Sequence, residues 1–550
     1  MFYNVLTRVF PIRVWLVLLL GTCFVLLLLN AGSYGATETS DARYAEIARE
    51  MYHSGDYIHP SLLNIHHYHK PPLTYHITAL GYFIWGVNTF GARFFLQLAI
   101  IIQALLVFLL GKELYNHNKT SLLATIIYLG FPIVLASSRN LTTDAYLNTF
   151  VLLSLWAWAK YRKGKGYSFL YLYTFSLALG FLTKGPVVFI VPLIFTIFYT
   201  RLEKGNTSWS IHHIGAWMIF LVIASSWFII LISENKNFVD YFLLKHTVKR
   251  FATNTFDRSK PFWYFIVFGI VAGFPWTISS LVLLFRKRTR MSAKGINFVI
   301  VATIGISILF FSLSSSKLIL YILPIYPLFA LLSANLLQKT GDGKIIKRLN
   351  NYILIFSFLI SIAILLTPLF ADKIEVPGTV MIITIIALGI SVIVTYSKRI
   401  SPLWKSSIVM LALSMSLIQA NNELTSSNPD EFETPDKIVE YINANNLERR
   451  NVYVYNSFLP SIAFALDKPI VSLNDGARHL KRDVQFEQND SWKQFLVNLT
   501  VQQEFDSLKS RMSSSKSILI SHKRPVPEKR SSLLNYFSNQ KYVGNWYIYY

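Results

Sequence analysis

Long apolar stretches alternate with short polar segments along the first 420 residues of the chain. Each stretch holds about 17 to 23 largely uncharged residues, the length that an α-helix needs to cross roughly 30 Å of hydrocarbon. The pattern therefore predicts an α-helical polytopic membrane protein with about 13 transmembrane helices. The predicted spans are residues 14–30, 92–111, 120–138, 143–159, 167–183, 186–200, 212–232, 262–285, 296–313, 318–337, 351–370, 377–396 and 404–420.

After residue 420 the apolar stretches give way to short segments rich in Asn, Ser and charged residues. The runs NVYVYN, KPIVSLN and SILISHK predict β-strands, and the terminal KYVGNWYIYY is also strand-like. TPDKIVEYINANN and SWKQFLVNLTVQQEFDSLKS have the periodicity of amphipathic helices. We therefore divide the chain into a transmembrane domain, residues 1–420, with external loops 31–91 and 233–261, and a small external α/β domain, residues 421–550.

Composition and charge support a membrane protein and indicate its orientation. Of the 550 residues, 53% are hydrophobic and 15% are charged, which excludes an ordinary soluble enzyme. Lys and Arg cluster in short segments on the side of the N-terminus, the signature of cytoplasmic loops. The clusters lie at residues 8–13, 160–165, 286–290, 344–348 and 398–405.

This asymmetry predicts a cytoplasmic N-terminus and an external C-terminus. The net charge of +23 then comes largely from the Lys and Arg residues of the cytoplasmic loops, and we expect no nucleic-acid partner. Cys23 is the single cysteine and lies within the first apolar stretch, so it supports neither a disulfide nor a lipid attachment, and redox chemistry is excluded. We interpret that stretch as a retained anchor, because it is longer than the apolar core of a signal peptide.

The first external loop places acids, bases and histidines directly beside hydrocarbon, where ionisable groups are functional candidates. Residues 44–52 predict an amphipathic helix in the membrane interface, and residues 72–86 predict a second short helix. Asp41 has an alternative structural role as a helix N-cap. The loop's histidines fit no dedicated zinc motif, so an interfacial polar loop is their alternative interpretation; they are His53, His59, His66, His67, His69 and His76.

Several motifs resemble a known family. SDARYAEIAREMYHSGDYIHPSL, followed by YHKPPLTYHITALGYFIWGVNTFGARF, resembles the first external loop of bacterial aminoarabinose transferases and their relatives, which are polyprenyl-phosphate-dependent glycosyltransferases of the GT-C class. Protein O-mannosyltransferases are more distant relatives. The similarity continues, in family order, through RNLTTDAYL, GFLTKGP, FLLKHTVKRFATNTFDRSKPFWYF and SSSKLILYILPIYP, and so covers about residues 1–340.

The resemblance implies an integral-membrane, inverting glycosyltransferase. It would move a sugar from a polyprenyl-phosphate donor to an envelope acceptor (lipid A, a glycan or a protein) on the outer face of the bacterial inner membrane. A divalent metal such as zinc is an open possibility, and no nucleotide cofactor is expected. The main alternative is a transporter or flippase of polyprenyl-linked sugars, although these spans keep nearly all their charges at their ends. A third alternative is an envelope polysaccharide polymerase or ligase.

The resemblance also implies catalytic acids. Relatives have Asp-Glu-x-Arg-Tyr at the start of the first external loop, where this chain has Ser40 followed by Asp41, so the family's first acid is replaced. We prefer Asp41 as the catalytic acid, with Glu38 in reserve. The second acid matches at Asp144, whose alternative role is a helix cap. Both aspartates begin predicted helices on the outer surface, so we expect them to converge over one donor headgroup.

Binding of the donor phosphate is implied for a set of basic and aromatic residues, for each of which membrane anchoring is the alternative. The set is Arg43, Lys70, Lys184, Arg250, Arg258, Lys317 and Tyr321. His69 stands where aminoarabinose transferases have the Glu of a Glu-Lys-Pro triplet, which is implied to help bind a metal at the phosphate. His479 is the C-terminal residue expected to face the active site, with an ordinary surface histidine as the alternative.

Overall fold

The computed structural model describes residues 11–38, 40–203, 205, 209–242, 259–285, 295–340, 343–370, 373–476 and 480–550. For residues 481 and 482 it describes the backbone alone. In chain order, the first helices are α1 Ile12–Leu28, α2 Ser40–Ser54, α3 Leu73–Trp85, α4 Thr89–Tyr115, α5 Asn118–Leu129, α6 Pro132–Ser138, α7 Thr143–Arg162, α8 Ser168–Lys184, α9 Ile190–Leu202 and α10 Ile211–Glu234. They continue as α11 Tyr264–Ala272, α12 Trp276–Leu284, α13 Ile296–Leu313, α14 Tyr326–Thr340, α15 Lys344–Phe370, α16 Gly378–Tyr396, α17 Pro402–Ser427, α18 Asp436–Ala444, α19 Pro460–Ala465, α20 Leu480–Asp483 and α21 Gln502–Ser514. Short 3₁₀ helices occupy Pro186–Phe189, Ile319–Ile325, Asp490–Gln494 and Glu528–Tyr536.

Each of the thirteen predicted spans falls on a helix or on two consecutive helices. Within the described residues, seven helices are long and apolar enough to cross a membrane, and up to nine if each bent pair counts as one span. The bent pairs are α5 with α6, at 61°, and α11 with α12, at 109°. The architecture is that of a mostly helical, multi-pass membrane protein, and the count of thirteen spans stays a prediction.

The chain divides into two compact units. We call Met1–Leu29 with Leu96–Glu423 the helical unit, and Asn30–Phe95 with Leu424–Tyr550 the α/β unit. The first external loop, assigned from sequence to the transmembrane domain, therefore groups with the C-terminal residues. The boundary at residue 423 lies close to the predicted one at 420.

The two helices predicted in the first external loop are present as α2 and α3. The interfacial placement predicted for α2 requires a solvated polar face, but Glu46, Arg49 and Glu50 on that face are all buried. Glu46 and Arg49 pair with each other at 2.7 Å, and Glu50 accepts a hydrogen bond from the backbone N–H of Asn64 at 2.9 Å. Helix α2 is thus buried on both faces inside the α/β unit, where Glu46 and Arg49 form an ion pair and Glu50 is hydrogen-bonded.

The α/β unit contains a six-stranded sheet in the order β3-β2-β1-β4-β6-β5. Its strands are β1 Asn451–Tyr455, β2 Val471–Asn474, β3 Leu496–Asn498, β4 Ser517–His522, β5 Gln540–Val543 and β6 Trp546–Tyr549. The first four strands are parallel, and β6 and β5 join antiparallel. One face is covered by α21, whose Phe505, Leu508 and Met512 pack on strand residues such as Tyr453 and Leu519.

Two elements of this unit differ from the sequence prediction. The helix predicted over residues 491–510 is interrupted by β3, where Leu496 pairs in parallel register with Ser472 of β2. A run of three residues is too short for its period to distinguish strand from helix. The strand-like KYVGNWYIYY is a hairpin of β5 and β6, with Gly544 in the turn at a positive φ of 57°.

Candidate active site

In the helical unit, Asp144, Lys184 and Tyr321 form one cluster. Asp144 lies in the first turn of α7 and is 8% exposed, and its carboxylate pairs with the ammonium of Lys184 in the last turn of α8. The same ammonium lies 4.6 Å from the centroid of the Tyr321 ring. One acid and two phosphate candidates, from motifs far apart in the sequence, therefore lie together in the helical unit.

Lys317 stands four residues before Tyr321 and is 4% exposed. Its ammonium donates to two backbone carbonyls, those of Lys260, at 3.0 Å, and Ser314. No carboxylate of the described residues lies within ion-pairing distance. Burial lowers the pKa of Lys317, because it disfavours the charged form. The neighbouring Ser316 hydroxyl is buried and has no hydrogen-bond partner among the described residues.

A buried amide network holds the first turn of α7 in place. Gln103 on α4 donates to the carbonyl of Ala145 at 2.7 Å and accepts from Asn148 at 2.9 Å. Tyr128 on α5 is a further partner of Gln103 and lies 2.9 Å from the Asn148 amide. Buried hydrogen bonds of this kind restrict the geometry of the side chains that make them. This network orients the turn that carries Asp144, and it was not anticipated because its members lie within apolar stretches.

In the α/β unit, Asp41 is paired with a residue that sequence reasoning missed. Arg93 on α4 is 1% exposed and donates to Asp41 at 2.6 Å. The guanidinium also donates to the carbonyls of Ala31, Tyr34 and Gly35 at 3.0–3.1 Å and lies 4.1 Å from the Tyr34 ring centroid. Asp41 lies inside the first turn of α2, which begins at Ser40, rather than at its N-cap. Its buried ion pair with Arg93 anchors the start of the first external loop.

Glu38 precedes α2 and is half-buried. Its carboxylate accepts from the backbone N–H of Ser461, the second residue of α19, at 3.0 Å. Burial raises the pKa of Glu38 to about 7, although the Ser461 hydrogen bond and Arg43 favour ionisation. A carboxyl group with a pKa near neutrality is suited to act as a general base at physiological pH.

The other candidates of the first external loop are half-buried in the α/β unit. Arg43 donates to the Ser40 hydroxyl at 3.3 Å. His69 packs against His67, with ring centroids 3.9 Å apart, and is followed by Lys70 in a bend. Arg250, Arg258 and His479 lie outside the described residues.

A metal ion would need several converging donors. Among the described residues, no group of three His, Cys, Asp or Glu side chains is placed to hold one. The metal role implied for His69 stays a prediction.

The residues of the Asp144 cluster could be found from sequence motifs, whereas the pairing of Asp41 with Arg93 could not. Asp144, Lys184 and Tyr321 each lie in a motif and are brought together in the helical unit. Arg93 lies in the quoted loop motif, but its partner is 52 residues away, and nothing in a single sequence marks the pair. Asp41 and Asp144 belong to different units, so their convergence stays a prediction.

Comparisons with known proteins agree with the motif resemblance. The sequence profile of the family described as dolichyl-phosphate-mannose-protein mannosyltransferase matches residues 69–230. Curated relatives include an undecaprenyl phosphate-α-4-amino-4-deoxy-L-arabinose arabinosyl transferase 2 of Pseudomonas fluorescens (strain Pf0-1), 28% identical over 58% of this chain and 59% of that protein. The enzyme of the same name from Proteus mirabilis (strain HI4320) is 27% identical over 61% and 62%. The alignments thus span about three-fifths of these relatives.

The fold also has a solved counterpart. The crystal structure of ArnT from Cupriavidus metallidurans bound to undecaprenyl phosphate superposes with a TM-score of 0.77 at 17% identity, covering 97% of both chains. The apo structure gives 0.78 at 18% identity and covers 98% of both. The chain therefore has the fold of that protein, and its resemblance to aminoarabinose transferases is confirmed.

Proposed function

We propose that this chain is an integral-membrane glycosyltransferase that moves a sugar from a polyprenyl-phosphate donor to an envelope acceptor. The donor class is that named for the curated relatives. The acceptor is lipid A, a glycan or a protein on the outer face of the bacterial inner membrane, with the N-terminus cytoplasmic and the C-terminus external. The basic loops of the sequence support that orientation.

The observation that carries the proposal is the buried cation Lys317. Within the described residues, this buried ammonium is bonded to carbonyls and to no carboxylate, and such a charge is costly unless an anion joins it. Lys184 adds a second ammonium beside Tyr321, four residues further along the chain from Lys317. A phosphate monoester bearing a lipid chain would supply the missing negative charge, and an apolar helical unit would accommodate the chain.

The proposed transfer uses the following roles for residues of this chain. The bond between the anomeric carbon and the donor phosphate oxygen breaks, and the electron pair leaves on polyprenyl phosphate. Lys317 and Lys184 stabilise the charge that grows on that leaving group. An acceptor oxygen bonds to the anomeric carbon from the opposite face, which inverts its configuration. When the acceptor is a hydroxyl, a carboxylate takes its proton, and Asp41, Asp144 and Glu38 are the candidates.

The proposal is tested by assaying the purified protein with polyprenyl-phosphate sugar and by comparing lipid A, glycans and secreted proteins from cells with and without the chain by mass spectrometry. A glycosyltransferase forms a new glycosidic linkage in one of these acceptors. A flippase moves the donor across vesicles and leaves every acceptor unmodified, and that result would overturn the proposal.

Lys317→Met tests the phosphate site directly. Loss of a charge-assisted contact worth about 1.5–3 kcal/mol should raise the apparent donor KM, or lower kcat/KM, by about tenfold or more. Lys339→Met is the matched control, because Lys339 is an exposed lysine at the end of α14. Equal kinetics in the two variants would show that Lys317 is a structural residue.

A further inference from the structure

Residues 60–70, which we call the histidine loop, contain a tight two-residue turn. Leu62 donates to the carbonyl of Ile65 at 2.8 Å, and Ile65 donates back to the carbonyl of Leu62 at 3.3 Å. Leu63 and Asn64 form the turn between them, with φ of 55° and 59°. A left-handed backbone suits asparagine but is disfavoured for leucine, because the Cβ crowds the following carbonyl. The turn is therefore strained at Leu63, and its surroundings must hold it in this conformation.

The carboxyl group of Glu50 on α2 binds both sides of this turn. It accepts a hydrogen bond from the Ser61 hydroxyl at 2.5 Å and another from the backbone N–H of Asn64 at 2.9 Å. Glu50 is 7% exposed, and burial together with the neighbouring Glu46 raises its pKa well above the usual range. The raised pKa favours the neutral carboxyl group, which glutamine resembles in size and in hydrogen-bonding capacity.

The turn is continuous with the residues for which the family resemblance implies roles at the donor phosphate. The backbone N–H of His67 donates to the carbonyl of Pro60 at 2.7 Å, so the loop closes on itself directly after the turn. The ring centroids of His67 and His69 lie 3.9 Å apart, and Lys70 follows His69 in the chain. A shift of the turn therefore moves the segment that carries Lys70.

A second carboxylate binds the loop after the turn. The backbone N–H of His66 donates to Glu487 at 2.7 Å. The ring of Tyr68 packs on Phe486, with the ring centroids 4.9 Å apart. These contacts fix the middle of the histidine loop, whereas Glu50 acts on the strained turn itself.

We infer that Glu50 is a positioning residue for the donor phosphate, because it holds the histidine loop in the conformation that presents Lys70. The inference rests on the proposed function and on the phosphate role that the resemblance implies for Lys70. A charge-assisted hydrogen bond to phosphate depends on short distances, so a displacement of about 1 Å weakens it as removal of the lysine would. Glu50 lies 20 residues before Lys70 and is bound to the loop rather than to the donor.

The inference is tested by binding of undecaprenyl phosphate, which does not require sugar transfer. Purified full-length protein in detergent solution would be titrated with this lipid by microscale thermophoresis. Lys70→Met should weaken binding about tenfold or more. Glu50→Ala leaves Ser61 and Asn64 without their acceptor, and it should weaken binding about fivefold or more. Glu50→Gln keeps an acceptor and supplies a donor, so it should bind within about twofold of the wild type.

A double variant shows whether Glu50 acts through Lys70. In the Lys70→Met background, Glu50→Ala should weaken binding by less than about twofold, because the lysine that it positions is absent. Ser61→Ala removes one of the two hydrogen bonds and is the milder change if Glu50→Ala does not fold. It should weaken binding about twofold or more, and again only where Lys70 is present.

Glu46→Gln is the control for a general loss of stability. Glu46 lies one turn earlier on α2 and pairs with Arg49 instead of the histidine loop, so this variant should lower the melting temperature and leave the Kd for the lipid unchanged. Undiminished binding by folded Glu50→Ala and Ser61→Ala would overturn the inference. Equal weakening by Glu50→Ala with and without Lys70, or absence of lipid binding by the wild type, would also overturn it. A wild type that binds the lipid as expected but transfers no sugar would instead overturn the proposed function alone.

Discussion

At the scale of single residues, the pair of Asp144 and Lys184 can be tested for catalysis. If Asp144 acts on the donor or acceptor, Asp144→Asn should lower turnover about 10²-fold or more, the scale of positioned acid-base or electrostatic effects. Asparagine can still cap α7, so a pure cap would keep both its activity and its fold. Turnover with the purified variant in a donor-saturated assay is the measurement.

The paired variant Asp144→Asn with Lys184→Met is the control for an ion-pair role. The single change Lys184→Met leaves the poorly exposed Asp144 carboxylate without its partner, and the double variant removes that penalty. If the pair only supports the fold, the double variant should recover stability and turnover together. Recovery of stability without turnover is the expected result.

Glu38 leads to a prediction about pH. Because burial raises its pKa to about 7, the carboxyl is largely protonated below that pH and cannot take a proton. If Glu38 is the general base, kcat/KM should rise with pH and level off above about 7. Glu38→Gln should abolish this inflection and lower turnover about 10²-fold. A pH profile that keeps its inflection in this variant would assign the base to another group.

Asp41 requires a different control because of its buried partner. Asp41→Asn removes the negative charge beside Arg93, and breaking a buried pair costs about 3–5 kcal/mol. A drop in turnover in this variant therefore counts as catalytic only if the melting temperature of the protein is unchanged. The motif placed Asp41 and Glu38 within three residues of each other, and only the structure separates the ion-paired acid from the one with a raised pKa.

At the scale of elements, hydrophobic periodicity was a good guide wherever an element is long. Helices such as α4 and α15, each 27 residues, follow directly from their apolar stretches. The three-residue β3 could not be predicted, because its strand state depends on pairing with β2 rather than on its own sequence. The prediction that the polar face of α2 lies in the membrane interface was wrong. Periodicity shows that a helix has a polar side, but it does not show whether a residue on that side, such as Arg49, has a buried partner.

Gly544 tests the hairpin of β5 and β6. It has a φ of 57°, and a Cβ at this position would stand 2.2 Å from an oxygen of Asp430, whose carboxylate accepts from Asn545 at 3.0 Å. Gly544→Ala must therefore displace the group that anchors the turn. We expect a loss of about 2 kcal/mol or more in the free energy of unfolding, measured as a lower melting temperature of the α/β unit.

Gly55 provides the matched control for this change. Its φ is 70°, and a Cβ there would meet nothing within 4 Å. Gly55→Ala should then cost only about 1 kcal/mol, the usual penalty for a left-handed conformation. Equal melting temperatures for the two alanine variants would show that the contact with Asp430 does not support the hairpin.

At the scale of the whole molecule, the sequence established the class of protein and left the grouping of its parts open. Apolar length and the change of composition near residue 420 anticipated a helical unit and an α/β unit. The membership of residues 30–95 in the α/β unit depends on contacts between segments more than 300 residues apart, such as Gly35 with Asp436 at 2.9 Å. Hydrophobic periodicity does not indicate contacts between segments that are distant in sequence. Individual site residues could therefore be proposed from the sequence, but their contacts with one another could not.

The orientation of the chain is a prediction for the whole molecule. The basic loops place Lys163 on the cytoplasmic side and Tyr550 outside, which requires an odd number of crossings between the N- and C-termini. Alkaline phosphatase fused after Tyr550 should be active, and the same enzyme fused after Lys163 should be inactive, because it folds only outside the cytoplasm. A cytoplasmic reporter such as green fluorescent protein should give the opposite pattern at both positions. Reversal at both positions would place Asp144 and Lys317 on the cytoplasmic side, where the proposed transfer to an envelope acceptor could not occur.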